Sequence, residues 1–123
     1  MSAWSQDDLG RLGGAGEVEV SSVRRDGTLS RARTVWIVRV GDQLYLRSVN
    51  GPDAAWYRLT KTFRQGRIEA RDVTWVDIDA AGQPEAGPAV DAEYARKYQG
   101  ATSAIAHITS PLARATTMRA EPR

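Results

Sequence analysis

The sequence contains no cysteine and only one histidine, His107, among its 123 residues. The lack of cysteine excludes disulfide bonds, thiolate nucleophiles and cysteine metal ligands. A single histidine cannot supply the ligand set of a typical zinc site, so we expect no metal site. A Ser-His-Asp triad would depend on His107, yet no serine lies in a nucleophile-elbow motif. We expect His107 to be a packed or hydrogen-bonded structural residue, with proton transfer as the alternative.

Long apolar stretches and a large charge excess are also absent. No apolar run approaches the roughly 20 residues of a membrane span, and the polar, acidic start MSAWSQDDLGRL is unlike a secretory signal. These features favour a cytoplasmic protein that does not bind membranes. Lysine and arginine number 17 against 15 acids, a net charge of +2 that does not favour nucleic-acid binding.

The cations that are present are nearly all arginines, since Lys61 and Lys97 are the only lysines. Genomic base composition can produce this bias. A functional explanation is that the planar guanidinium suits phosphate and carboxylate groups and stacks on aromatic rings.

The strand pattern predicts a single α+β domain over residues 1–123. Apolar and polar residues alternate over residues 17–25, which predicts a half-exposed strand. Asp26-Gly27 predicts a hairpin turn. Gly41-Asp42 predicts a second tight turn, so the segment is a meander of antiparallel strands. Pro52 suits the first position of a helix, and Asp91 suits a helix cap. Because short antiparallel sheets need closure or cover for their edges, we expect a small antiparallel barrel with flanking helices.

The second turn also predicts which residues share a face. With Gly41-Asp42 as a two-residue loop, Trp36 lies opposite Arg47 on one face of the hairpin. The other face is more aliphatic and is the predicted barrel interior; it carries Val35, Ile37, Leu44 and Leu46 with Arg39 and Ser48. We expect the Arg47 guanidinium to stack on Trp36. The alternative is that this face packs under the helix containing Trp56, or against a second subunit.

The stretch YLRSVNGPDAAWYR, residues 45–58, is the strongest candidate for a ligand site. A strand leads through a glycine turn into a helix start, where free N–H groups favour anions. The candidate donors are the backbone of residues 50–54 and the side chains of Arg47, Ser48 and Arg58. Asp53 argues against an anion there, and the P-loop glycine and lysine are missing. The alternative is an ordinary helix start with solvated arginines.

An acidic patch offers a different chemistry. Asp77 and Asp79 alternate along a predicted strand, near Asp72, so their carboxylates share a face. A paired-carboxylate hydrolase and a solvated strand face both fit this spacing.

Several motifs together resemble a known family. They are the Asp26-Gly27 hairpin, the run W-x-V-R-x-G-D-x-L-Y-x-R-S over residues 36–48, the W-Y-R of residues 56–58, and D-A-x-Y-x-x-K-Y over residues 91–98. Over residues 4–122 the chain resembles the bacterial family of domain of unknown function 2255.

That family is similar, more distantly, to split β-barrels that bind flavin mononucleotide (FMN) or deazaflavin, including pyridoxamine-phosphate-oxidase-like and deazaflavin-dependent nitroreductase-like proteins. The resemblance implies a small antiparallel split β-barrel, a homodimer, and FMN or deazaflavin as possible cofactors. It also implies contacts for a cofactor. The residues near its phosphate would be Arg47, Ser48, Asn50 and Gly51, and those flanking its ring would be Trp36 and Trp56.

Three functional hypotheses follow. The protein is a flavin- or deazaflavin-dependent oxidoreductase, a binding or accessory protein without a redox cofactor, or a non-redox biosynthetic enzyme that uses Arg, Tyr or His107. A cofactor phosphate predicts free N–H groups at the helix start, with arginines converging on them. Binding without a phosphate predicts that Asp53 caps this helix and that Arg47 and Arg58 pair with acids. A catalytic His107 would open into the pocket, and a structural one would be buried.

Overall fold

A computed structural model describes residues 3–70, 73–82 and 84–122, without the side chains of residues 73–81 and 84. The strands are β1 Val18–Ser22, β2 Arg33–Val35, β3 Ile37–Val40, β4 Gln43–Leu46, β5 Gln65–Ala70, β6 Val73–Gly82 and β7 Met118–Pro122. The helices are α1 Gln6–Gly14, α2 Ala55–Phe63, α3 Gly87–Lys97, α4 Thr102–Ile108 and α5 Pro111–Arg114, with 3-10 turns at Gly51–Asp53 and Pro84–Ala86. No helix in these described ranges is long and apolar enough to cross a membrane.

The strands form one antiparallel sheet of seven strands in the order β2-β1-β5-β6-β7-β4-β3. Its two outermost strands, β2 and β3, are separated along the chain only by Trp36. They are therefore two halves of one bent strand, the first paired with β1 and the second with β4. This bend closes the sheet into a barrel. The architecture confirms the predicted α+β fold with a small antiparallel split β-barrel and flanking helices.

The predicted hairpin geometry is correct. Gly41 adopts a φ of 61°, which glycine reaches without steric cost. The resulting register pairs Val38 with Tyr45 and Ile37 with Leu46. The aliphatic face of this hairpin lies in the barrel interior, as predicted, and packs with residues of β1, β5 and α1.

The opposite face of the hairpin is covered by α3 and α4. Val38 and Tyr45 pack there against Val90, Tyr94 and Ile108. The alternative that this face packs under the helix containing Trp56 is therefore wrong, since Trp56 belongs to the interior cluster instead.

Two predicted helix starts also differ from the structure. Pro52 lies in the 3-10 turn Gly51–Asp53, and α2 begins only at Ala55, because the extended backbone of Ala54 (ψ 133°) separates the two. Asp91 is not a cap, because α3 already begins at Gly87. Its carboxylate is free to contact side chains of other elements.

Candidate functional site

A cavity of about 590 Å³ opens between the bend joining β2 and β3, the loop after β4, the start of α2, and α4. Its volume falls within the roughly 300–1,000 Å³ typical of small-molecule sites. The lining residues are Arg33, Thr34, Val35, Trp36, Arg47, Ser48, Val49, Asn50, Ala54, Ala55, Trp56, Ala104 and Ile108.

Most of the predicted site residues meet at this cavity. Its lining includes Trp36, Arg47, Ser48, Asn50 and Trp56. Two predicted residues are placed elsewhere: Gly51 is buried in the 3-10 turn, and the exposed Arg58 side chain lies outside the lining. Whether any of these residues contacts a cofactor stays a prediction.

Arg47 is the most heavily engaged side chain of the cavity wall. Its side chain is 0% exposed and forms a 2.5 Å ion pair with Asp91. Its other hydrogen bonds go to the Gly87 carbonyl at 3.1 Å, the Ile108 carbonyl at 3.1 Å and Thr117 Oγ1 at 2.9 Å. Arg47 therefore ties α3, α4 and the approach to β7 to the end of β4.

The carboxylate of Asp91 is shared, because Arg114 also forms an ion pair with it. The buried cation of Arg47 is thus balanced by an acid that a second arginine holds in place. This pairing is the arrangement expected of a site in which Arg47 does not hold a phosphate.

The expected stacking of Arg47 on Trp36 is wrong. Trp36 stacks on Tyr98 instead, with ring centroids 3.7 Å apart and planes within 4°, while Arg47 lies over the Tyr94 ring at 5.6 Å. The Tyr94 hydroxyl donates to the Trp36 carbonyl at 2.8 Å. One face of the indole is therefore fixed by Tyr98, the residue after α3, and the backbone at the strand bend by Tyr94 of α3.

Burial shifts the ionisation of the groups behind Trp36. It raises the pKa of Tyr94 and of Tyr98 further above the ordinary value of a tyrosine. Burial also lowers the pKa of Lys97 to about 8, with a smaller contribution from Arg96. The Lys97 ammonium donates to the Ile37 carbonyl at 2.6 Å.

The turn before α2 is held by its own hydrogen bonds. Ser48 Oγ donates to the Gly51 carbonyl at 2.7 Å, and the Gly51 N–H donates to the Ser48 carbonyl at 3.0 Å. Thr116 Oγ1 accepts the Ser48 N–H at 2.8 Å. Gly51 has a φ of 80°, and a Cβ there would lie 3.3 Å from the Leu112 Cβ.

The first turn of α2 carries no side-chain cap. Ala54 occupies the N-cap position, and no side chain makes a capping hydrogen bond to the first turn of α2. Asp53 therefore does not take the capping role expected of a site that binds no phosphate. The lining residues Ala54, Ala55 and Trp56 place this helix end at the cavity. The structure thus has one feature of each hypothesis. The uncapped helix start was expected of a site that binds a cofactor phosphate, and the pairing of Arg47 with Asp91 was expected of a site that does not.

The prediction of a hydrogen-bonded His107 is confirmed, whereas neither the burial expected of a structural residue nor the opening into the cavity expected of a catalytic one is found. Its ring is exposed, with Nδ1 2.8 Å from the Ser103 carbonyl, and it does not line the cavity. Of the predicted acidic patch, Asp72 and the side chains of Asp77 and Asp79 lie outside the described part of the chain.

The sequence interpretation missed Arg33 and the contribution of α4. Arg33 could have been found from strand alternation, because it lies two residues before Val35 of the interior face. No local signal placed Ala104 and Ile108 beside the turn, since α4 reaches it through tertiary packing.

Comparison with known proteins identifies the family. The model of the family described as "Uncharacterized protein conserved in bacteria (DUF2255)" matches residues 8–120. The chain belongs to this DUF2255 family. No curated protein matches it.

Solved structures share the fold of this DUF2255 protein. They include an F420 reductase, 16% identical with a TM-score of 0.58 over 94% of this chain and 92% of that chain. HutZ, the heme storage protein from Vibrio cholerae, is 12% identical with a TM-score of 0.65 over 96% and 88%. An FAD and heme binding protein from Mycobacterium smegmatis is 18% identical with a TM-score of 0.52 over 94% and 64%. These likenesses confirm the distant relation to split β-barrels at the level of the fold.

Proposed function

We propose that this DUF2255 protein binds a planar small molecule of the flavin or deazaflavin class in the cavity, and acts with it as an oxidoreductase. The observation that carries the proposal is the meeting of Trp36 and Trp56 at one cavity of about 590 Å³. Indole rings offer large, rigid apolar surfaces against which a planar ring system packs. Stacking on Tyr98 holds the Trp36 ring in place before any ligand arrives.

The structural neighbours support this class of ligand. One is named an F420 reductase and another an FAD and heme binding protein. Haem is the less suitable of these groups for this chain, because haem iron is usually held by His, Cys, Met or Tyr. None of these residue types occurs among the described residues that line the cavity.

The residues that line the cavity suit the ring of such a cofactor better than they suit its phosphate. Trp36 and Trp56 would contact the ring, while Asn50 and the uncapped start of α2 offer donors to its polar end. A bound flavin or deazaflavin would supply the hydride or electron chemistry. The chain itself would bind the ring, orient it and limit its contact with water.

A binding protein without a redox cofactor is the second candidate. The observation that favours it is the engagement of Arg47 with Asp91, Gly87 and Ile108, which removes the cation expected to hold a phosphate. A homodimer and a cytoplasmic location remain predictions for either candidate, the first measurable by sedimentation of the purified protein.

Titration of the purified protein with FMN and with F420, followed by ligand absorbance and tryptophan fluorescence, tests the proposal. We expect saturable, micromolar binding that weakens in Trp36→Phe and Trp56→Phe. Trp4→Phe is the matched control, because Trp4 is buried in the interior cluster and does not line the cavity.

The absence of any spectral change at high concentrations of both ligands would contradict the flavin-class proposal and favour the cofactor-free candidate. Binding that weakens equally in all three variants would place the ligand outside this cavity.

A further inference from the structure

The charge on the cavity lining comes from arginine alone. Arg33 and Arg47 are its only charged residues, and the described lining includes no aspartate or glutamate. The charge of Arg47 is balanced by its ion pair with Asp91. Arg33 is exposed, and within the described ranges its guanidinium has no hydrogen-bond or ion-pair partner. Among the described residues that line the cavity, Arg33 is therefore the cation without an acidic partner.

Strand geometry explains why Arg33 reaches the cavity. In the pairing of β1 with β2, Arg33 lies opposite Val20 and Val35 lies opposite Val18. Cross-strand partners and alternate residues share a face, so Arg33 continues the inward row of buried valines. This row reaches the cavity where β2 begins, and the inward-facing position there is an arginine instead of an aliphatic residue.

From this arrangement we infer that Arg33 determines specificity by binding an anionic group of the ligand, a phosphate or a carboxylate. The inference rests on the proposed function, because it assigns a contact within the same cavity. A guanidinium presents a planar fork that matches such oxygens, and its charge makes each hydrogen bond stronger. Asn50 lines the same cavity and adds a neutral polar group.

Arg31 provides the matched control. It lies two residues before Arg33, is likewise exposed, and does not line the cavity. Replacement of either arginine removes the same charge from the same segment of the chain. A general effect of net charge on ligand attraction would therefore appear in both variants, and a direct contact only in the Arg33 variant.

The experiment compares FMN with riboflavin, which lacks the phosphate. Dissociation constants are measured by fluorescence titration for the unaltered protein, Arg33→Gln and Arg31→Gln, at low and high salt. We expect FMN to bind at least about tenfold more tightly than riboflavin, a difference of about 1.4 kcal/mol. Arg33→Gln should abolish this preference and leave riboflavin affinity unchanged, and Arg31→Gln should preserve it. The preference should shrink at high salt, because this contact is exposed.

Titration with F420 extends the test, since F420 carries a phosphodiester and carboxylates but no phosphate monoester. A loss of FMN affinity alone in Arg33→Gln assigns a contact with the phosphate monoester of FMN, and a loss for both ligands assigns a contact that also accepts a phosphodiester or a carboxylate.

An FMN preference that persists in Arg33→Gln would overturn the inference and leave the proposed function standing, because both ligands still bind. An equal loss in Arg31→Gln and Arg33→Gln would also overturn it, in favour of a general charge effect. If neither FMN, riboflavin nor F420 binds the unaltered protein, the proposed function fails and the inference fails with it.

Discussion

Replacement of Arg47 by methionine should cost stability and leave ligand affinity nearly unchanged. The guanidinium is buried and joins Asp91, the carbonyls of Gly87 and Ile108, and Thr117 Oγ1. Methionine fills much of the same space but donates no hydrogen bond. The substitution therefore removes the polar contacts that Arg47 makes with α3 and α4, without exposing a new polar surface to the cavity.

The magnitude follows from what is left unpaired. Loss of one partner from a buried ion pair costs about 3–5 kcal/mol. Asp91 keeps Arg114 and is 20% exposed, which favours the lower part of that range. The Ile108 carbonyl loses its donor, at about 1–3 kcal/mol for a buried unsatisfied group, whereas the Gly87 carbonyl keeps its place in the hydrogen-bonded first turn of α3. Because these costs overlap, we expect about 3 kcal/mol in the free energy of unfolding, and a melting temperature lower by about 10 °C.

Urea unfolding followed by fluorescence and circular dichroism measures this loss as a shift in midpoint at constant slope. Arg47→Lys should recover little, since an ammonium lacks the planar fork that reaches several acceptors at once. Arg58→Met is the control: Arg58 is exposed and has no ion pair within the described ranges, so its loss should change stability by no more than about 0.5 kcal/mol.

One result would refute this reasoning. If Arg47→Met unfolds within about 1 kcal/mol of the unaltered protein while FMN affinity falls at least tenfold, the guanidinium serves the ligand more than the fold.

Two further predictions concern Lys97 and Gly51. Burial lowers the pKa of Lys97 to about 8, so between about pH 8 and 10 the unfolded chain binds more protons than the folded one, and the free energy of unfolding should rise with pH. Lys97→Met should flatten this rise when urea unfolding is measured across that pH range. An unchanged dependence of the unfolding free energy on pH in Lys97→Met would show that Lys97 does not cause the rise. Gly51→Ala should lower stability by about 1–3 kcal/mol in the same assay, since φ is 80° and a Cβ would lie 3.3 Å from the Leu112 Cβ. Gly27→Ala, with a φ of 85° and no atom within 4 Å of its Cβ, should cost less, and equal losses would show that Leu112 yields without cost.

Local geometry was predictable from the sequence because it depends on few residues. A two-residue loop at Gly41-Asp42 fixes the register of β3 and β4, and alternation then assigns each side chain to a face. The interior position of Ile37 and Leu46 follows from these rules alone, and the structure confirms it.

The partners of the outer face could not be predicted in the same way. Trp36 and Tyr98 are distant in sequence and meet only because α3 packs across β3. Tyr94 and Tyr98 are spaced as one helical stripe, but the sequence did not indicate which face of the sheet that stripe would cover. The bend at Trp36 was equally hidden, because no glycine or proline marks it and residues 28–40 have the pattern of one continuous strand.

The two cavity arginines show how far a local pattern can assign function. Arg47 stood in the most conspicuous motif, yet the packing of α3 brought Asp91 to it and satisfied its charge. Arg33 lies at the start of a short strand with no recognisable motif, yet the fold places it at the cavity with no acidic partner in the part of the chain that the structure describes. Stability and FMN affinity measured on both variants therefore separate the roles. Arg47→Met should lower stability, and Arg33→Gln should lower FMN affinity. The opposite pattern would make Arg47 the ligand-binding arginine and Arg33 the structural one.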